Sequence, residues 1–177
     1  MSDVTSRGSD VVARRPADGL RRRALIATFL VIVQIALGMV VNLYVTVPNH
    51  HSGANPSNYF AGSYRSVLWA ISSSSATLVI HSLLGLLLIV MSISVAVHAT
   101  ITHIRRVAIY AVLGLLFVVG AAFNGASFLD FAGKDINSLL MALLALGALC
   151  SYVMILYVLA PANKNHRGGV TSPSHDQ

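Results

Sequence analysis

Ile80-His81-Ser82-Leu83-Leu84-Gly85 opens one long apolar run, and Ile136-Asn137-Ser138-Leu139-Leu140 opens another. In each, a polar side chain heads a membrane-length hydrophobic segment and Ser-Leu-Leu follows. A second echo precedes them. Gly38-Met39-Val40-Val41-Asn42 closes an earlier apolar run, and Gly120-Ala121-Ala122-Phe123-Asn124 closes a later one. The four runs therefore read as two helix pairs. The second pair is a pseudo-repeat of the first, and each has Gly-x-x-x-Asn near the end of its first helix.

Composition sets the environment of these runs. Of the 177 residues, 55% are hydrophobic and 10% are charged. A soluble domain carries about 25% charged residues, so the chain belongs to the membrane class. A hydrocarbon core of roughly 30 Å takes about 20 apolar residues per helix. The spans predicted on that basis are 24–45, 76–99, 107–123 and 137–159. The fold class expected is an all-α integral membrane protein, an antiparallel bundle of four transmembrane helices.

The charges orient it. Arg7, Arg14, Arg15, Arg21, Arg22 and Arg23 precede the first run, Arg105 and Arg106 separate the second from the third, and Lys164 and Arg167 follow the fourth. Only Arg65 and Lys134 lie in the other two connections. Positive charge accumulates on the cytoplasmic side of membrane proteins, so both termini are expected there. The net charge of +6 is then a topology signal and not a nucleic-acid footprint. The reading is a multi-pass protein of a bacterial plasma membrane, with the bilayer and other membrane subunits as partners and no nucleic acid.

Residues 1–23 and 160–177 are polar and rich in Arg, Gly, Ser and Pro, and are expected to be disordered cytoplasmic segments. The outer loop, 46–75, is longer than the connections of 2–8 residues usual between bundled helices. Tyr59, Phe60, Tyr64 and Trp69 suit it to the headgroup region, and a short helix is predicted near 62–71. Such a loop is expected to fold back over the outer end of the bundle. The lone Cys150 excludes an internal disulfide.

Polar residues inside the spans locate the candidate site. Gln34, Gly38 and Asn42 recur at i, i+4, i+8 and so share one helix face. His81, Gly85, Ser92 and Ala96 form a similar stripe on the second span. Given the topology, Asn42, His81, Asn124 and Asn137 come to similar depth near the outer face. Unpaired polar groups are costly in lipid, so a polar layer of these four is expected to face inward. Two readings of it follow: groups that only tie helices together, or a site for a cofactor or small molecule built on His81. His50 and His51 in the outer loop are the conceivable further ligands. No nucleophile–base pair, phosphate loop or metal motif appears, so the residues do not point to catalysis.

Gln34-Ile35-Ala36-Leu37-Gly38 with Asn42, followed by His81-x-x-x-Gly85, resembles the helix pairs of the haem A synthase family and, more loosely, other b-haem four-helix membrane bundles. The resemblance implies haem b held between histidines of the second and fourth helices. His81 matches the first of these positions. The second falls on Asn137, and the first-helix Arg of the family motif falls on Asn42. Two functions are carried forward: a non-catalytic accessory or assembly subunit of a larger, respiratory-type membrane complex, and a haem- or quinone-binding protein with its site around His81.

Overall fold

The computed structural model describes residues 3–54, 57–72, 74–131 and 135–160, with side chains from Ala17 onward. It is all-helical over these residues: α1 Asp3–Tyr44, α2 Tyr59–Ser72, α3 Ala76–Ile101, α4 Arg105–Asp130 and α5 Asp135–Val158. The four long segments Ala17–Tyr44, Ala76–Ile101, Arg105–Asp130 and Asp135–Val158 are each long and apolar enough to cross a membrane. This is a multi-pass helical membrane protein.

Each long helix packs on two others. α1 meets α3 and α5, and α4 meets α3 and α5. α2 lies against α3 and α4. The contacts are glycine-led, as expected where packing rather than the hydrophobic effect joins helices in lipid. On the α4–α5 face, a Cβ on Gly114 would lie 2.7 Å from Tyr152 Cε1, and one on Gly147 would lie 3.1 Å from the Phe117 ring. Aromatic rings thus sit directly on bare backbone. On the α1–α3 face the same device carries polar side chains, as described below.

Hydroxyls within the helices bond their own backbone. Thr28 donates to the Ala24 carbonyl (2.8 Å), Ser92 to Leu88 (2.6 Å) and Ser151 to Gly147 (2.8 Å). Each bond removes an orphan donor without a neighbour. The chain reverses between α3 and α4 within three residues. His103 there adopts φ 55°, a left-handed conformation that ends the helix at Thr102, and Ile104 restarts the chain in extended form.

Among the boundaries that differ from the sequence expectation, those of α1, α4 and α2 bear on the packing. α1 is helical from Asp3, although residues 1–23 were expected to be disordered, and Leu20 is fully buried in the core with Ala24 and Ala27. The Arg21–Arg23 cluster masked this in the sequence, because a helix keeps one face for Leu20 while the arginines point elsewhere. α4 runs to Asp130, although 124–136 was expected to be a loop. The polar residues there find partners on α2 and on the helix itself, so the helix need not stop. α2 spans Tyr59–Ser72, slightly longer than the predicted 62–71. The tail after residue 160 lies outside the described residues.

Candidate functional site: a cavity beside His81

Gln34 and His81 meet across the α1–α3 contact. Gln34 Nε2 lies 3.2 Å from the His81 carbonyl oxygen and 3.3 Å from His81 Nε2. A carbonyl oxygen only accepts, so the amide nitrogen and not its oxygen occupies this position. It donates, and His81 Nε2 must therefore accept. The neutral ring then carries its proton on Nδ1.

Glycines on the opposing helices make the pair possible. A Cβ on Gly38 would stand 3.2 Å from His81 Cε1, and one on Gly85 would stand 3.2 Å from Gln34 Nε2. Each polar side chain thus rests on the glycine of the other helix. The pairing is reciprocal: Gln34 and Gly38 are four residues apart on α1, as are His81 and Gly85 on α3.

Two hydrogen-bonding atoms of the pair have no partner. Gln34 Oε1 and His81 Nδ1 are both buried and unbonded. Such atoms cost about 1–3 kcal/mol each when left unsatisfied.

The pair forms part of the wall of a cavity of about 230 Å³ lined chiefly by α1, α3, α4 and α5. The opposite wall includes a patch of small residues, Ala121, Ala122, Gly125 and Ala126 on α4 with Ala142 and Ala145 on α5, beside the larger Phe128, Leu129 and Met141. Ser82, Asn42 and Ser138 add polar groups to the lining. Val31, Leu88, Val118 and Ala148 line it too and belong to the main core cluster, which closes the cavity at depth.

α2 stands at the other end. Val67 reaches the cavity lining, and Val41, Val47, Ala70, Leu78, Phe128 and Leu129 form a second apolar cluster there. Polar contacts hold α2 and its preceding segment in place. Tyr59 Oη lies 2.8 Å from Ser127 Oγ, and Ser63 Oγ donates to Asp130 Oδ2 at 2.8 Å. His51 stacks on Trp69 with ring centroids 4.2 Å apart and its Nε2 3.0 Å from the Leu129 carbonyl. Through these contacts α2 and His51 lie against α3 and α4, two of the four long helices.

Comparison with protein-family models, curated proteins and solved structures finds no match.

Of the residues singled out in the sequence, Asn42 and His81 share the cavity, while Asn124 and Asn137 are not among its lining residues. Asn124 Nδ2 donates to the Gly120 carbonyl of its own helix at 3.0 Å, so it has no need of a neighbour. His81 finds its partner in Gln34 and not in the asparagines. Gln34 was visible as part of the Gln34–Gly38–Asn42 stripe but was not placed against His81. His50 is exposed. Both ring nitrogens of His51 lie near backbone carbonyls, Ser52 at 3.1 Å and Leu129 at 3.0 Å.

The residues offer haem no ready second ligand: Asn137 is not a usual iron ligand, both nitrogens of His51 face backbone carbonyls, and His50 is exposed and not among the cavity-lining residues. The cavity is below the roughly 300 Å³ at which drug-sized pockets begin, and a tetrapyrrole is larger than such ligands. Among the described residues, no group of three or more His, Cys, Asp or Glu side chains is placed to hold a metal.

Proposed function

We propose that this protein binds the ring of a membrane quinone, or a chemically equivalent lipid-soluble ring, at the Gln34–His81 wall of its central cavity. The observation that carries this reading is an apolar, ring-sized cavity with the Gln34–His81 pair in its wall. An apolar cavity of about 150 Å³ takes up benzene, so about 230 Å³ suits one substituted six-membered ring. The alanine and glycine patch leaves room for a ring against the backbone. Ser82, Asn42 and His81 Nδ1–H supply donors for carbonyl oxygens. Reaching Nδ1 takes a turn of the imidazole away from Gly38, where only a glycine hydrogen stands against it.

An accessory subunit docked through its apolar faces to a larger membrane complex is the other function the sequence suggests. It gives no reason for a central cavity with unspent polar groups, so it stands second.

The reading places the helices as an antiparallel bundle in a bacterial plasma membrane, with both termini cytoplasmic and α2 on the outer side. Ten cytoplasmic positive charges against two outside support this orientation. A cysteine introduced by Ser57→Cys, in a Cys150→Ala background, should react with an impermeant maleimide in intact cells. Labelling only after permeabilisation would invert the topology.

Binding itself is read by Trp69, the single tryptophan of the chain. It lies two residues from the cavity-lining Val67 and packs in the cluster at the cavity's α2 end. A short-chain quinone should quench it saturably at one molecule per chain. Gln34→Leu and His81→Leu should each weaken binding by about tenfold, about 1.4 kcal/mol. Non-saturating quenching identical in the wild type and both variants would dispose of the proposal.

A further inference from the structure

Five residues that line the cavity are also exposed on the molecular surface: Met39, Asn42, Leu86, Ala122 and Ala142. At these positions the cavity lining reaches the molecular surface. Helical spacing of about 100° per residue assigns four of them to seams. On α1, Gln34 and Gly38 face α3, so Met39, one step beyond Gly38, stands at the edge of the cavity face toward α5. On α5, Met141 and Tyr152 face glycines of α4. Ala142, one step beyond Met141, stands at the edge toward α1. Met39 and Ala142 therefore flank the α1–α5 seam. By the same spacing, Leu86 and Ala122 flank the α3–α4 seam.

The two seams are not equivalent mechanically. α3 and α4 are tied by the three-residue link 102–104, and α2 packs on both of them. No connection joins α1 to α5, and α2 has no significant contact with either. Among the described residues, parting α1 from α5 strains no direct link between them. Met39 is 59% exposed, and its unbranched, flexible side chain yields readily.

We propose that the ligand carries a long apolar tail and that this tail leaves the cavity between Met39 and Ala142, through the α1–α5 seam, into the acyl chains. The inference rests on the ring-binding reading above and names its ligand class more closely: a tailed amphiphile of isoprenoid or alkyl type, taken sideways from the bilayer. The ring stays beside Gln34 and His81. Gly38 touches His81 and adjoins Met39, so ring and tail exit lie at one depth.

The test compares two quinones on the full chain in nanodiscs, one with a decyl tail and one with the same ring and no tail, both read by quenching of Trp69. In the wild type the tailed compound should bind tighter. Ala142→Phe, which plugs the seam, should lower the ratio of tailed to tail-less affinity by about tenfold. Met39→Phe, at an exposed position that tolerates an aromatic ring, should lower it in the same direction and serves if Ala142→Phe does not fold. A larger fall in Ala122→Phe than in either variant would put the exit at the α3–α4 seam and overturn the proposal. An unchanged ratio in all three, with the tail-less ring still bound saturably, would overturn it while leaving the ring site standing. Absence of saturable binding by both compounds would remove the ring site and this inference together.

Discussion

Gly53→Ala should detach the segment before α2 and lower stability by about 3 kcal/mol, through positive-φ strain and overlap together. Gly53 has φ +103°, a conformation that side-chain-bearing residues rarely adopt. A Cβ there would also lie 2.5 Å from Ser66 N and 2.6 Å from the Gly62 carbonyl oxygen, and would meet Ser66 Oγ. Two of these atoms are helix backbone, so relief requires moving α2 itself. Gly62 and Ser66 are buried small residues of α2, which shows how closely the loop approaches. At roughly 2–4 °C per kcal/mol for a chain of this size, the midpoint should fall by roughly 6–12 °C. The same change should separate His51 from Trp69 and shift the Trp69 emission. A midpoint and emission unchanged from the wild type would mean that the 46–58 segment does not rest on α2 in the folded protein.

Tyr152→Ala should be the most destabilising single truncation in the core, at about 3–5 kcal/mol. Tyr152 is the largest fully buried side chain. Its ring occupies the space above Gly114, so close that a Cβ there would lie 2.7 Å from Cε1. In lipid the loss is mainly one of packing contacts, since acyl chains are as apolar as the core. Gly114→Ala alone should cost about 1–3 kcal/mol, by pushing the ring out of place. The double variant should cost less than the sum, because the new methyl enters space the ring has vacated. Steric-trapping or detergent unfolding measures all three. Strict additivity would show that Gly114 and Tyr152 do not touch.

The parts of the structure that were legible in the sequence are those fixed by one helix at a time. Span length and hydropathy gave the four apolar helices. The i, i+4 stripes placed Gln34, Gly38 and Asn42 on one face of α1, and His81 and Gly85 on one face of α3. What those faces meet depends on the register between helices, which no local pattern records. Asn42, Asn124 and Asn137 looked equivalent by spacing. Asn124 instead bonds its own helix, a choice open to any asparagine with a carbonyl four residues back. The extension of α4 through Asn124–Asp130 was hidden for a related reason. Its support comes from Tyr59 and Ser63, more than 60 residues earlier. A segment that looks polar enough for a loop stays helical once a neighbouring helix accepts its side chains. Leu20 was hidden by the arginines that follow it. The reciprocal glycine seats of Gln34 and His81 were half visible. Both glycines lay on the stripes that carry Gln34 and His81, but which side chain each receives is a property of the pair.

The central claim is that a ring compound occupies the cavity beside Gln34 and His81. Photolabelling tests it most directly. The full chain in lipid is irradiated with an azido-quinone, digested and mapped by mass spectrometry, with and without excess unlabelled quinone. Labelling should concentrate on the peptides covering 31–42 and 78–89, should be competed away, and should fall in His81→Leu. Labelling spread over the lipid-facing residues of all four helices, and unaffected by competitor, would contradict the account.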